Sequence, residues 1–120
     1  MGMDARLCTA RSVKEFDNTN YWTSTLEINE ENFWKVGHEV MYWRKFFDLV
    51  DHINTLLPER YECADFVEVS RDMLKSIIEF CCYNRDYWDS FDTVPKLCEI
   101  YDHWDDFTNA GLKLFFECDW

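Results

Sequence analysis

Apolar residues recur at alternating spacings of three and four along three long segments of the chain, which is the pattern of an amphipathic helix. The first segment begins at Asn29, a residue suited to the N-cap position, and ends at Pro58. The second covers residues 62–88, and the third covers residues 93–120, with Thr93 as its expected N-cap and Pro95 in its first turn. The three apolar stripes are Val36, Val40, Trp43, Phe47, Val50 and Leu57, then Val67, Leu74, Ile77, Cys81 and Trp88, and finally Leu97, Tyr101, Trp104, Phe115 and Cys118.

These stripes predict an all-α fold, a small antiparallel bundle of three long helices over residues 29–120. Residues 1–28 are expected to form an N-terminal arm or a short helix packed on the bundle. Residues 12–17 suit a short helix, and residues 21–28 alternate like an extended piece. A chain of 120 residues is expected to be a single domain. Gly111 falls inside the third predicted helix, where it would either admit a close neighbour or weaken the helix.

The net charge of the chain indicates what kind of surface covers this core. The net charge is −12, yet 48% of the residues are hydrophobic and 18% are aromatic. Disorder requires low hydrophobicity as well as high net charge, so the composition predicts a compact body with a negative surface. Such a surface disfavours direct binding to nucleic acid or to an anionic membrane, and it favours basic proteins as partners.

The beginning of the chain and its cysteines suggest a compartment. Residues 1–13 contain Asp4, Arg6 and Arg11 and no apolar stretch, so no secretory signal is expected. No apolar run reaches the length of a bilayer span. We therefore expect a cytoplasmic protein whose cysteines are reduced and mostly buried. They are Cys8, Cys63, Cys81, Cys82, Cys98 and Cys118.

The acidic residues concentrate in residues 86–106, where seven of them accompany one base, Lys96. On a helix Glu99, Asp102 and Asp106 would share one face, and like charges at this spacing destabilise the helix slightly. The face is either a solvated one that maintains solubility or a patch that docks on a cationic surface. Aromatic residues lie among these acids and are candidate anchors. The predicted partner-binding residues are Asp86, Trp88, Asp89, Phe91, Asp92, Glu99, Asp102, Asp105 and Asp106.

Motifs for catalysis or metal binding are weak in this chain. His52 lies four residues after Asp48, and His103 four after Glu99, a spacing that differs from the di-iron pattern of helical bundles. There is no Cys-x-x-Cys pair, and none of the three glycines lies in a phosphate-binding loop. We therefore expect no catalytic residues, no metal and no cofactor, and we predict that the chain is not an enzyme.

Two hypotheses of function follow, with a metal-dependent or thiol enzyme third. In the first, a small acidic cytoplasmic protein binds and inhibits or modulates a basic protein, with one of a nucleic-acid-processing complex as a candidate. A specific version is imitation of nucleic acid, in which carboxylates on a helical body occupy a cationic channel. Phage counter-defence proteins and toxin-immunity proteins have similar size and charge, an analogy of composition alone. This protein would act in the host cytoplasm if it is viral.

In the alternative hypothesis, the chain is an apolar helical assembly or adaptor module. Its acids serve only solubility, and its apolar stripes continue into a homodimer or a partner helix. Salt weakens only the first kind of binding.

Overall fold

The computed structural model describes residues 4–12, 29–44, 47–57, 66–83 and 90–119. The predicted all-α bundle of three long helices is wrong, because these residues form a four-stranded antiparallel sheet and four short helices. The elements in chain order are β1 (Asp4–Ala10), β2 (Glu39–Arg44), α1 (Phe47–Leu56), β3 (Phe66–Val69), α2 (Arg71–Tyr83), α3 (Ser90–Asp102), α4 (Trp104–Asn109) and β4 (Lys113–Asp119).

The sheet has the strand order β2-β1-β4-β3, so the first and last strands of the described chain lie side by side at its centre. Leu7 is opposite Phe116 on β4 and Met41 on β2. Cys8, the next residue, is opposite Glu39, which leaves Val40 as an additional residue on β2. This β-bulge lets Val40 pack against the same core as Trp43, three residues later.

The two central strands are buried on both sides. Leu7 and Phe116 face the helices and are fully buried. Cys8 and Phe115 lie on the opposite side of the sheet and are also buried, in a second, smaller cluster with Ala10. A strand buried on both sides has a continuous apolar run instead of an alternating one. For this reason Phe115 and Cys118, which belong to the clusters on opposite sides of the sheet, match a helical spacing of three.

The main core lies between the sheet and the four helices. Leu74, Ile77 and Cys81 of α2 follow one another at spacings of three and four and are fully buried. Each of the other helices contributes buried residues to the same cluster: Leu49, Val50 and Ile53 from α1, Leu97 and Ile100 from α3, and Phe107 from α4. The helical periodicity of these segments is therefore real, but each helix is half the predicted length or shorter.

The predicted helix boundaries are wrong where strands interrupt the segments. Turns at residues 30–35 and strand β2 precede α1 in the first segment, and β3 precedes α2 in the second. Strand β1 includes residues of the predicted arm, whereas residues 13–28 lie outside the described ranges. Gly111 adopts φ +86°, a left-handed conformation that favours glycine, and it lies in the turn between α4 and β4.

The start of α3 also differs from the prediction. The helix begins at Ser90, so Thr93 is not an N-cap and Pro95 lies inside the helix. The Thr93 side chain is buried, and its Oγ1 accepts a hydrogen bond from Nε1 of Trp43 at 3.0 Å. This bond joins α3 to the edge strand β2 through two residues that are 50 positions apart.

The Trp43–Thr93 hydrogen bond gives a test of this packing. We expect Trp43→Phe to reduce the free energy of unfolding, with about 1 kcal/mol of the loss due to the hydrogen bond. In a Thr93→Val background the same substitution should cost correspondingly less, because the hydroxyl acceptor is already absent. Urea unfolding followed by circular dichroism measures both values. An equal loss in the two backgrounds would show that the bond contributes nothing.

Candidate partner-binding surface

Four of the predicted partner-binding residues lie on the outer side of α3 and α4. Their side chains are exposed, whereas Leu97, Ile100 and Phe107 on the opposite side of the same helices are buried in the core. We refer to these four residues as the acidic surface: Glu99, Asp102, Asp105 and Asp106.

The two helices that carry the acidic surface are separated by His103 alone. The backbone N–H of His103 donates to the carbonyl of Glu99 at 3.1 Å, and its own carbonyl accepts from Phe107 at 3.3 Å. The His103 ring stacks on Trp34 with 4.7 Å between centroids. The acidic surface is therefore attached to a backbone that is hydrogen-bonded across the junction and packed from the inside.

The carboxylates of the acidic surface are not neutralised by bases of the described chain. No lysine or arginine nitrogen in residues 4–12, 29–44, 47–57, 66–83 and 90–119 forms a salt bridge with any of them. Their one ion-pair partner in these ranges is a histidine: Nδ1 of His103 donates to Oδ2 of Asp106 at 2.7 Å. Within these ranges, therefore, no lysine or arginine offsets the charge of the acidic surface.

The positions of the four acids along the helices separate them into two pairs. Asp105 and Asp106 lie in the first turn of α4, where the helix dipole favours negative charge. Glu99 and Asp102 lie in the last turn of α3, where the dipole disfavours it, and that turn contains no basic residue. The helix dipole therefore gives Asp105 and Asp106 a stabilising role in the fold, whereas the negative charges of Glu99 and Asp102 do not stabilise it.

The other five predicted partner-binding residues precede the acidic surface in the chain. Asp86, Trp88 and Asp89 lie outside the described ranges. Phe91 and Asp92 lie in the first turn of α3, where the structure describes the backbone alone. The aromatic anchor at the start of this helix therefore stays a prediction.

A groove between α2 and α3, beside the acidic surface, was not predicted from the sequence. Its volume is about 290 Å³, and Asp102 belongs to both features. The guanidinium of Arg71 lies over the ring of Tyr101 at 4.7 Å from its centroid. A pattern along one helix does not reveal which second helix will pack beside it, so no sequence signal marked this groove. Its lining residues are Lys75, Ile78, Glu79, Cys98, Tyr101 and Asp102.

His52 packs against α2 by a hydrogen bond and a ring contact. Nε2 of His52 shares a hydrogen bond with Oγ of Ser76 at 3.1 Å, and its ring stacks on Phe80 with 4.5 Å between centroids. Within the part of the chain that the structure describes, no three histidine, cysteine, aspartate or glutamate side chains group as metal ligands.

His38 is the one buried histidine of the described residues. Its Nδ1 donates to the carbonyl of Val36 at 2.7 Å, and its ring meets the Phe33 ring edge-on at 4.5 Å between centroids. Nε2 is buried and has no hydrogen-bond partner among the described residues. Burial lowers the pKa of His38 below its usual value of 6.5, although the Val36 carbonyl and Glu39 act in the opposite direction. The ring is therefore neutral at pH 7.

The described cysteines are free thiols. Cys8, Cys81 and Cys118 are buried, and burial raises the pKa of Cys81 to about 12. Cys82 and Cys98 are half-buried, and the pKa of Cys98 is raised by burial, by Cys82 and by Asp102. Cys81 and Cys98 therefore lack the low pKa of a nucleophilic cysteine. Cys63 lies outside the described ranges.

Comparison of the chain with protein-family models, with curated proteins and with solved structures finds no match. No helix in the described ranges has the length and apolar content of a membrane span.

The lowered pKa of His38 predicts how its contribution to stability depends on pH. Below about pH 6.5 the unfolded chain binds a proton at His38 that the folded chain excludes, so this contribution falls as pH falls, by at most about 1.4 kcal/mol per unit. The free energy of unfolding of the wild type minus that of His38→Gln should therefore decrease from pH 7.5 to pH 5. Urea titrations at several pH values measure it. A difference that is constant with pH would contradict a lowered pKa.

Proposed function

We propose that this chain is a small acidic cytoplasmic protein that binds a basic protein and inhibits or modulates it, without being an enzyme. The observation that carries the proposal is the position of Glu99 and Asp102. Both are exposed, neither is paired with a base in the described chain, and both lie at the helix end where the dipole opposes them. These two carboxylates slightly destabilise the isolated chain, but they would attract a cationic partner and so stabilise a complex with it.

The arrangement of the acids supports a nucleic-acid-handling protein as the partner. The acidic surface continues from the last turn of α3 across His103 into the first turn of α4, so its carboxylates follow one another closely along the chain. A row of fixed negative charges on a rigid body is what a cationic nucleic-acid channel attracts. The protein would then occupy that channel in place of nucleic acid.

The apolar assembly module has less support from the surface. Among the described residues, the large hydrophobic side chains that are exposed are Tyr42 and Tyr83, which lie on different elements. The apolar stripes of α2, α3 and α4 are turned inward, onto the sheet and onto one another. No contiguous apolar face for a homodimer is therefore left in this part of the chain.

Paired charge reversals test the proposal against simple solubility. We expect Glu99→Lys with Asp102→Lys to abolish capture of the partner from a lysate of the source cell or its host at low salt. The control is Glu31→Lys with Asp51→Lys, two exposed acids outside α3 and α4. Each reversal adds two charges, so both variants change the net charge from −12 to −8. The control should keep the partner.

The stability of the two variants completes this experiment. We expect the Glu99 and Asp102 reversals to leave the protein as stable as the wild type or more stable, by a few tenths of a kcal/mol, because bases suit a helix C-terminus. Thermal unfolding by circular dichroism measures this. Equal capture by both variants would contradict the proposal, because net charge alone would then explain the binding.

A further inference from the structure

The groove between α2 and α3 has an apolar floor. Ile78, Cys98 and Tyr101 line it, and Ile78 and Tyr101 also pack against the main core. Arg71 covers the Tyr101 ring and holds it from one side. The volume of about 290 Å³ lies at the lower limit of small-molecule pockets and suits one large side chain.

The charges around the groove are unequal. The bases are Lys75, which lines the groove, and Arg71, which lies over the Tyr101 ring beside it. The acids are Glu79 and Asp102, which line the groove, and Glu99, which is exposed immediately after Cys98. In the described ranges no lysine or arginine forms a salt bridge with these three carboxylates. The charged residues around the groove therefore attract an occupant that carries positive charge beside its apolar part, and they repel an acidic occupant.

We propose that the groove receives one large apolar side chain from a segment of the basic partner, with lysine or arginine residues of that segment lying against Glu79, Glu99 and Asp102. This inference rests on the proposed function and adds to it the contact that excludes water. Long-range attraction guides association, and a buried anchor in a small pocket provides most of the affinity. The Cys98 thiol, whose pKa is raised, stays neutral and suits an apolar contact.

Two synthetic peptides test the groove without knowledge of the partner. Both are fluorescein-labelled lysine–alanine helices, and they differ only in a central Phe or Ala. Fluorescence anisotropy at low salt should give a Kd about tenfold lower for the Phe peptide, the effect of about 1.4 kcal/mol of apolar contact. Cys98→Phe, which fills the groove, should remove this preference, and Cys98→Ser, which leaves it open, should retain it.

Alkylation of Cys98 gives a second readout that does not depend on the folding of a variant. The Phe peptide should slow modification of Cys98 by N-ethylmaleimide several-fold, as measured by mass spectrometry of the Cys98 peptide. The Ala peptide should slow it less.

The outcomes separate the two proposals. Equal affinity for the two peptides, or unchanged alkylation of Cys98, would overturn the groove inference. If binding of both peptides still falls with salt and with the Glu99 and Asp102 reversals, the proposed function stands without the groove. If binding is indifferent to those reversals, both proposals fail.

Discussion

The pairing of β1 with β4 is the constraint on which the rest of the molecule depends. It joins residues 4–10 to residues 113–119 in one continuous antiparallel register, with Leu7 opposite Phe116 and Cys8 opposite Phe115. Both strands are central, and the first pair is buried under the helices while the second is buried on the opposite side of the sheet. A slip of one residue would exchange the two sides, so the hydrophobic core on each side depends on this single register.

The same constraint gives the helices an inner and an outer side. The described helices pack on one side of the sheet with their apolar stripes inward, so that polar residues of α2, α3 and α4 face solvent. The groove is the place where the outer sides of α2 and α3 meet. Asp102 lines this groove, and Glu99 is exposed on the same helix, because Leu97 and Ile100 occupy its buried side.

Parts of this arrangement could be predicted from the sequence. The spacing of Leu74, Ile77 and Cys81 marks the inner side of α2 correctly, because a single helix determines which residues share a side. The same geometry predicts a common side for Glu99, Asp102 and Asp106, all of which are exposed.

The strands and the groove could not be predicted by such local patterns. Val40 and Trp43 reach the core at a spacing of three because of a β-bulge, which imitates a helical spacing. The apolar run around Phe115 is equally compatible with a strand buried on both sides and with a buried helix. The groove depends on α2 lying beside α3, and the central strands β1 and β4 are separated by about a hundred residues.

The salt dependence of partner affinity for the wild-type chain tests directly whether the acidic surface provides the binding. The partner is identified by mass spectrometry after capture from a lysate, purified, and titrated at about 0.05 M and about 0.5 M NaCl, between which the screening length falls severalfold. We expect the Kd to rise by at least tenfold at the higher salt and the partner to be a basic protein. A Kd that does not change with salt would show that the acidic surface does not provide the binding.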